Sequence, residues 1–259
     1  MSEQPILELR GINKSFGPVD VLKGVDFRAA AGQVTALVGD NGAGKSTLVK
    51  CMSGTYSIDS GEYLFDGRPV VVHTPRDASA LGIEIVYQDL ALCDNLDIVQ
   101  NMFLGRERLS GIVLNESSME QSAQETLASL SVRTVSSVRQ RVASLSGGQR
   151  QTVAIAKAVL WNSNVVVLDE PTAALGVAQT AQVLSLVRRL ADRGLAVVLI
   201  SHNMTDVLQV ADSIAVLYLG QMAAQVDRSE VNQQQLVELI TTGRLEGSAA
   251  AGATTGAGA

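Results

Sequence analysis

The sequence predicts an α/β fold: a mainly parallel buried sheet, an antiparallel β subdomain ahead of it, and a helical subdomain inserted into it. Three observations predict this. Short apolar runs at 165–168, 195–200 and 214–219 alternate with helix-period patterns over 177–192 and 204–210, as in βαβ units whose strands are covered on both faces. Residues 33–38 are an apolar strand that passes through a glycine-rich turn into the helix-like 45–52. Between Asp89 and Trp161 strand patterns vanish and helical ones replace them, clearest over 117–130 and 146–160.

In chain order, residues 6–12 and 19–27 alternate apolar and polar side chains around the turn-rich 13–18, which predicts a β-hairpin. A further strand is expected at 83–87. One domain over 1–243 results, with its core at 1–88 and 161–243 and the helical subdomain at 89–160. Residues 247–259 contain only Gly, Ala, Ser and Thr, which bury too little to offset ordering entropy, so 244–259 is expected to be a flexible tail. No motif occurs twice, so one cassette without internal repeat is expected.

Composition narrows the function. A chain of 259 residues, 46% hydrophobic, can bury a sizeable core, and its net charge of -6 opposes a general nucleic-acid binder, so no nucleic-acid partner is expected. No apolar run approaches the roughly 18 residues needed to span a bilayer, and residues 1–10 lack a signal-peptide core. Any membrane role is therefore expected to come through a partner. Cys51 and Cys93, far apart and flanked by apolar residues, read as reduced packing thiols.

Gly39, Asp40, Asn41, Gly42, Ala43, Gly44, Lys45 and Ser46, followed by Thr47, match G-x-x-x-x-G-K-[ST] between a strand and a helix. The glycines let backbone N–H groups turn inward around phosphate oxygens, and the helix points its positive end at the anion. Lys45 would face the β and γ phosphates, and Ser46 would offer a hydroxyl to Mg²⁺. The run 165–168 then ends in Asp169 and Glu170, which places two carboxylates at the C-terminal edge of the sheet, where such sheets bind ligands. Asp169 is expected to hold Mg²⁺ and Glu170 to polarise an attacking water.

Leu145, Ser146, Gly147, Gly148 and Gln149 stand about twenty residues before that strand end, and with this motif the sequence resembles the ABC transporter ATPase family over residues 4 to about 243. The resemblance implies a P-loop NTPase (RecA-like) core, ATP and Mg²⁺ as cofactors, and Mg-dependent ATP hydrolysis. Ser146 can cap the helix that follows, and Gly147 and Gly148 leave its N-terminal N–H groups free for a phosphate. The chain's own Lys45 loop already serves one nucleotide. In the family two domains stack head to tail, so the implied partner of Ser146 to Gln149 is the ATP of a second copy.

Further roles rest on the resemblance alone. Phe16 matches the aromatic that stacks on adenine, although by residue type it also suits the core of the hairpin. Gln88 matches the glutamine that senses Mg²⁺ and the attacking water at the hinge to the helical subdomain. His202, after strand 195–200, matches the histidine that contacts the γ-phosphate. Gly176 departs from the family, which commonly has Asp there, at a position concerned with communication across the dimer.

Tyr87 to Leu92, Phe103 to Glu107 and Ala173 to Gly176 are similar to the ATPases of bacterial simple-sugar importers. The implied partners are a second copy of the chain, transmembrane permease subunits and, indirectly, an extracytoplasmic sugar-binding protein. The implied location is peripheral, on the cytoplasmic face of the membrane. An exporter ATPase would use the same chemistry, and a non-transport regulatory ATPase is the alternative from another class.

Overall fold

The computed structural model describes residues 4–132 and 135–244. The tail expected over 244–259 therefore lies, from residue 245 onward, outside the described residues. β1 (Pro5–Phe16) and β2 (Val19–Ala30) form the predicted hairpin, but only Gly17 and Pro18 turn between them. The turn expected over 13–18 is mostly strand, with Ser15 paired to Asp20 and Phe16 to Val19. Asn13, a turn former by type, serves a bulge instead: its Oδ1 accepts from Gly24 N at 2.8 Å and its Nδ2 donates to Gly11 O at 2.9 Å.

β3 (Val34–Val38), buried at every position, leads to α1 (Lys45–Met52). β4 (Ser60–Phe65) and the two-residue β5 (Arg68–Pro69) complete an antiparallel sheet in the order β2-β1-β4-β5. α2 (Pro75–Ala80), opened by a capping box between Thr74 and Asp77, precedes β6 (Ile83–Val86).

The next segment carries α3 (Ile98–Phe103), β7 (Leu109–Ser110), β8 (Val113–Leu114), α4 (Glu116–Ser129) and α5 (Gly147–Val159). The expectation of no strand here is corrected by β7 and β8. Two residues per strand are too few to show a period, and their side chains are exposed, so no alternation of burial marked them.

The remaining elements are β9 (Val165–Asp169), α6 (Val177–Asp192), β10 (Ala196–Ile200), α7 (Met204–Val210), β11 (Ser213–Tyr218), β12 (Gln221–Asp227) and α8 (Gln233–Thr242). The main sheet runs β12-β11-β3-β10-β9-β6, parallel throughout except for the antiparallel β12 at its edge.

Burial on both faces explains why β9 reads as an unbroken apolar run. Val166 and Leu168 pack with Ile155 and Leu190 on the side of α5 and α6, while Val165 and Val167 pack with Leu48 and with Phe27 of the hairpin. The strand order has a direct consequence for function. Because β3, β10, β9 and β6 are consecutive neighbours, the chain leaving their C-terminal ends sets Gly39, His202, Glu170 and Gln88 along one sheet edge.

Candidate active site

The loop after β3 is shaped by close packing. A Cβ on Gly39 would lie 2.3 Å from Leu217 O, an overlap with backbone that no rotamer can relieve. Gly44, at φ +107°, sits where a Cβ would meet Leu22 Cδ2 at 3.0 Å and Val21 O at 3.2 Å. Gly39→Ala is accordingly expected to lower stability by roughly 3 kcal/mol and to distort the loop enough to weaken ATP binding at least tenfold. Chemical denaturation and a nucleotide titration check both effects; a loop that tolerates the methyl group with unchanged affinity would contradict this geometry.

Lys45 opens α1 with its ammonium folded back into the loop, donating to Gly39 O at 2.7 Å and to Asp40 O at 3.0 Å. Burial pulls its pKa below the usual lysine value, while Glu170, Asp40 and Asp169 push it back up. The converse holds for Asp169, whose pKa is raised by burial and by its neighbour Glu170 and lowered by Lys45 and Lys50. The half-buried cleft thus gathers Asp40, Asp169 and Glu170 around Lys45, with Lys50 also acting on Asp169.

Glu170 takes φ +52°, a left-handed conformation that costs about 1–3 kcal/mol for a residue with a Cβ. Its N–H donates to Ile200 O at 3.0 Å, so β10 holds the turn in place. Its Oε2 lies 2.8 Å from His202 Nδ1, with the carboxylate side chain 16% exposed and the imidazole 74% exposed. The imidazole therefore lies against the carboxylate from the solvent side, a link that residue types and spacing did not reveal.

The predicted residues converge unevenly. Asn41, Gly42, Gly44, Lys45, Ser46, Thr47, Gln88, Asp169 and Glu170 line one cleft of about 350 Å³, together with Val21 and Ile200. An adjoining cleft of about 580 Å³ adds Gly39, Asp40, His202, Met204, Val237 and Ile240. Ala43 is buried in the core and lines neither cleft; its N–H donates to Asp40 O at 3.1 Å and its carbonyl accepts from Gly220 N at 3.0 Å.

Phe16 lies apart from both clefts, 42% exposed, with its ring edge-on to Tyr56 at 5.1 Å and below Lys14 Nζ at 5.4 Å. Ser146 to Gln149 line neither cleft. Ser146 caps α5 instead: its Oγ accepts from Gln149 N at 3.4 Å and Gln149 Oε1 accepts from Ser146 N at 2.8 Å.

Sequence reasoning missed Val21, Ile200 and the α8 residues Val237 and Ile240, which carry no chemistry of their own. It also missed Asp206, buried and accepting from Thr172 Oγ1 at 2.7 Å, which anchors the turn beyond Glu170. The oxygen donors Ser46, Asp169 and Gln88 share one cleft, a set that fits Mg²⁺ if phosphates supply the other ligands. Among the described residues no group of three or more His, Cys, Asp or Glu side chains could hold a metal by itself.

Comparison with known proteins gives a consistent answer. Residues 22–173 match the family model described as ABC transporter. The chain is 44% identical to the xylose/arabinose import ATP-binding protein of Sulfolobus acidocaldarius, over 92% of this chain and 94% of that one. It is 43% identical to the fructose import ATP-binding protein of Rhizobium meliloti, over 93% and 95% of the two chains. A nucleotide-free ATP-binding cassette from an ABC transporter superposes with TM-score 0.75 at 26% identity, covering 86% of this chain and 92% of that one.

Proposed function

Because this chain belongs to the ABC transporter ATP-binding family, we propose that it is the ATP-hydrolysing subunit of an importer whose cargo is a monosaccharide. The observation that carries the catalytic part is Glu170 held by His202 in clefts shared with Lys45, Ser46, Gln88 and Asp169. The cargo rests on the two sugar-import relatives.

In this reading the loop N–H groups and the N-terminal end of α1 receive the ATP phosphates, and Lys45 exchanges two carbonyl contacts for phosphate oxygens. Ser46, Asp169 and Gln88 would hold Mg²⁺, which when bound neutralises charge developing on the phosphates. Glu170 accepts a proton from the attacking water while the water oxygen bonds to the γ-phosphorus. The bond from that phosphorus to the ADP oxygen breaks, and ADP and phosphate leave. His202 keeps the carboxylate turned toward the water.

The helix end at Ser146 to Gln149, which lines neither cleft, serves the ATP of a second copy, so two chains stack head to tail around two nucleotides. Closure of that dimer is transmitted to permease subunits, which places the chain at the cytoplasmic membrane face, with an external sugar-binding protein delivering cargo. Among the described residues no helix is long and apolar enough to cross a membrane.

Co-expression and purification with neighbouring membrane components, followed by labelled monosaccharide uptake and ATPase assays with and without Mg²⁺, tests the reading. ATP- and Mg²⁺-dependent uptake is expected. Outward transport, or hydrolysis indifferent to the permease and to sugar, would overturn it.

A further inference from the structure

Gly147 and Gly148 do not adopt left-handed backbone, so conformation alone does not demand glycine. Space does. A Cβ on Gly147 would stand 3.3 Å from Leu175 Cδ2, and one on Gly148 would stand 3.1 Å from Gln179 Cγ and 3.2 Å from Gln179 Cβ. The turn that begins α5 is therefore seated directly on the segment that begins α6.

Gln179 is fixed in that place from the other side. Gly176, the N-cap of α6, has no side chain to offer, and Gln179 Oε1 accepts its backbone N–H at 3.1 Å. This folds the Gln179 side chain back over the helix end, against Gly148. The segment from Glu170 to Gly176 is itself held stiffly: Ala173 N donates to Glu170 O at 3.1 Å, Leu175 N to Thr172 O at 3.3 Å, and Thr172 Oγ1 to the buried Asp206 at 2.7 Å. Ala174 adds a second left-handed turn at φ +60°.

We infer that Gln179 is a positioning residue that locks the Ser146–Gln149 turn to the Glu170 turn, so that the hydrolytic end of one nucleotide site and the helix end offered to the other are set together. The inference rests on the reading that this helix end serves a second copy's ATP. It assigns Gln179, together with Leu175, the task of holding the two turns in register through the Gly176 cap. A helix cap without this role would support folding only.

The test compares Gln179→Ala, Gln179→Glu and Ser146→Ala in the full chain, measuring kcat, KM for ATP, ATP affinity at concentrations where the chain is monomeric, and Tm. Gln179→Ala should lower kcat about tenfold while KM and monomer affinity stay within about twofold, since the Lys45 loop is untouched. Gln179→Glu should restore kcat to within about twofold, because its carboxylate accepts the same Gly176 N–H.

Unchanged kcat with a lowered Tm would reduce Gln179 to a cap and overturn the inference, as would a parallel change in monomer affinity. Should Gln179→Ala fail to fold, Gln179→Met keeps the methylenes against Gly148 and lacks the acceptor. It must then show the same kcat-selective loss, and wild-type turnover by it overturns the inference. Ser146→Ala separates the two layers: wild-type turnover there sinks the shared-site reading, whereas a loss at Ser146 without one at Gln179 sinks only the positioning role.

Discussion

Replacing Glu170 by glutamine is expected to lower ATP turnover by about a hundredfold to ten-thousandfold, the range of a positioned general base, while ATP binding is retained or strengthened. The substitution is close to isosteric. The backbone turn at φ +52° and its bond to Ile200 O do not involve the side chain, and a glutamine side chain can keep the 2.8 Å approach to His202 Nδ1. What disappears is the basic oxygen and one negative charge next to Asp169 and Lys45. Loss of that charge reduces repulsion toward the nucleotide phosphates, so affinity should not fall. With hydrolysis blocked, two chains should remain closed around ATP, and gel filtration with and without ATP should show a dimer that accumulates only with the nucleotide. Turnover above a tenth of wild type, with a monomeric product in ATP, would remove Glu170 from the chemistry and the shared site from the mechanism.

The sheet strands and long helices were legible because their burial follows simple periods. β9 and β10 are covered on both faces and read as unbroken apolar runs, and α6 and α7 begin and end where their patterns do. β4 was not visible, since only Tyr63 and Leu64 of its six residues are buried and no alternation builds up. The hairpin turn was misjudged because Asn13 and Ser15 are turn formers by type, yet here their side chains satisfy a bulge and a neighbouring carboxylate. α8 was missed for a similar reason. Only Leu236 and Leu239 of its ten residues are buried.

The site was legible where its chemistry depends on residue type at fixed spacing. Lys45, Ser46, Asp169 and Glu170 are named by motif, and the strand order then puts them at one edge. What spacing could not supply is contact between residues distant in sequence: His202 on Glu170, Thr172 on Asp206, and Gln179 against Gly148. No pair falls within a single element, so no period predicts it. They decide which side chains meet, and that information resides in how β9, β10, α5, α6 and α7 pack together.

Lys45→Ala should produce the complementary defect, weakening binding where Glu170→Gln slows turnover. The ammonium lies half-buried in the loop with three carboxylates, Asp40, Asp169 and Glu170, acting on it. Without it those carboxylates face the incoming phosphates with no lysine in the loop to offset them. Charge-assisted contacts are worth about 1.5–3 kcal/mol each, so losing the lysine should cost about 3 kcal/mol of ATP binding, a hundredfold or more in Kd. Fold stability should change little, because Gly39 O and Asp40 O lie at the rim of the cleft and can exchange the lysine for water. Lys45→Arg is the sharper control. It keeps the charge, but its planar fork does not match a point-charge seat between two loop carbonyls, so affinity should recover only partly. Titration of fluorescent ATP into both variants, with thermal unfolding run in parallel, distinguishes the outcomes. If Lys45→Ala binds ATP within threefold of wild type at unchanged Tm, the Lys45 loop is not the phosphate site, and the placement of the nucleotide beside Glu170 fails with it.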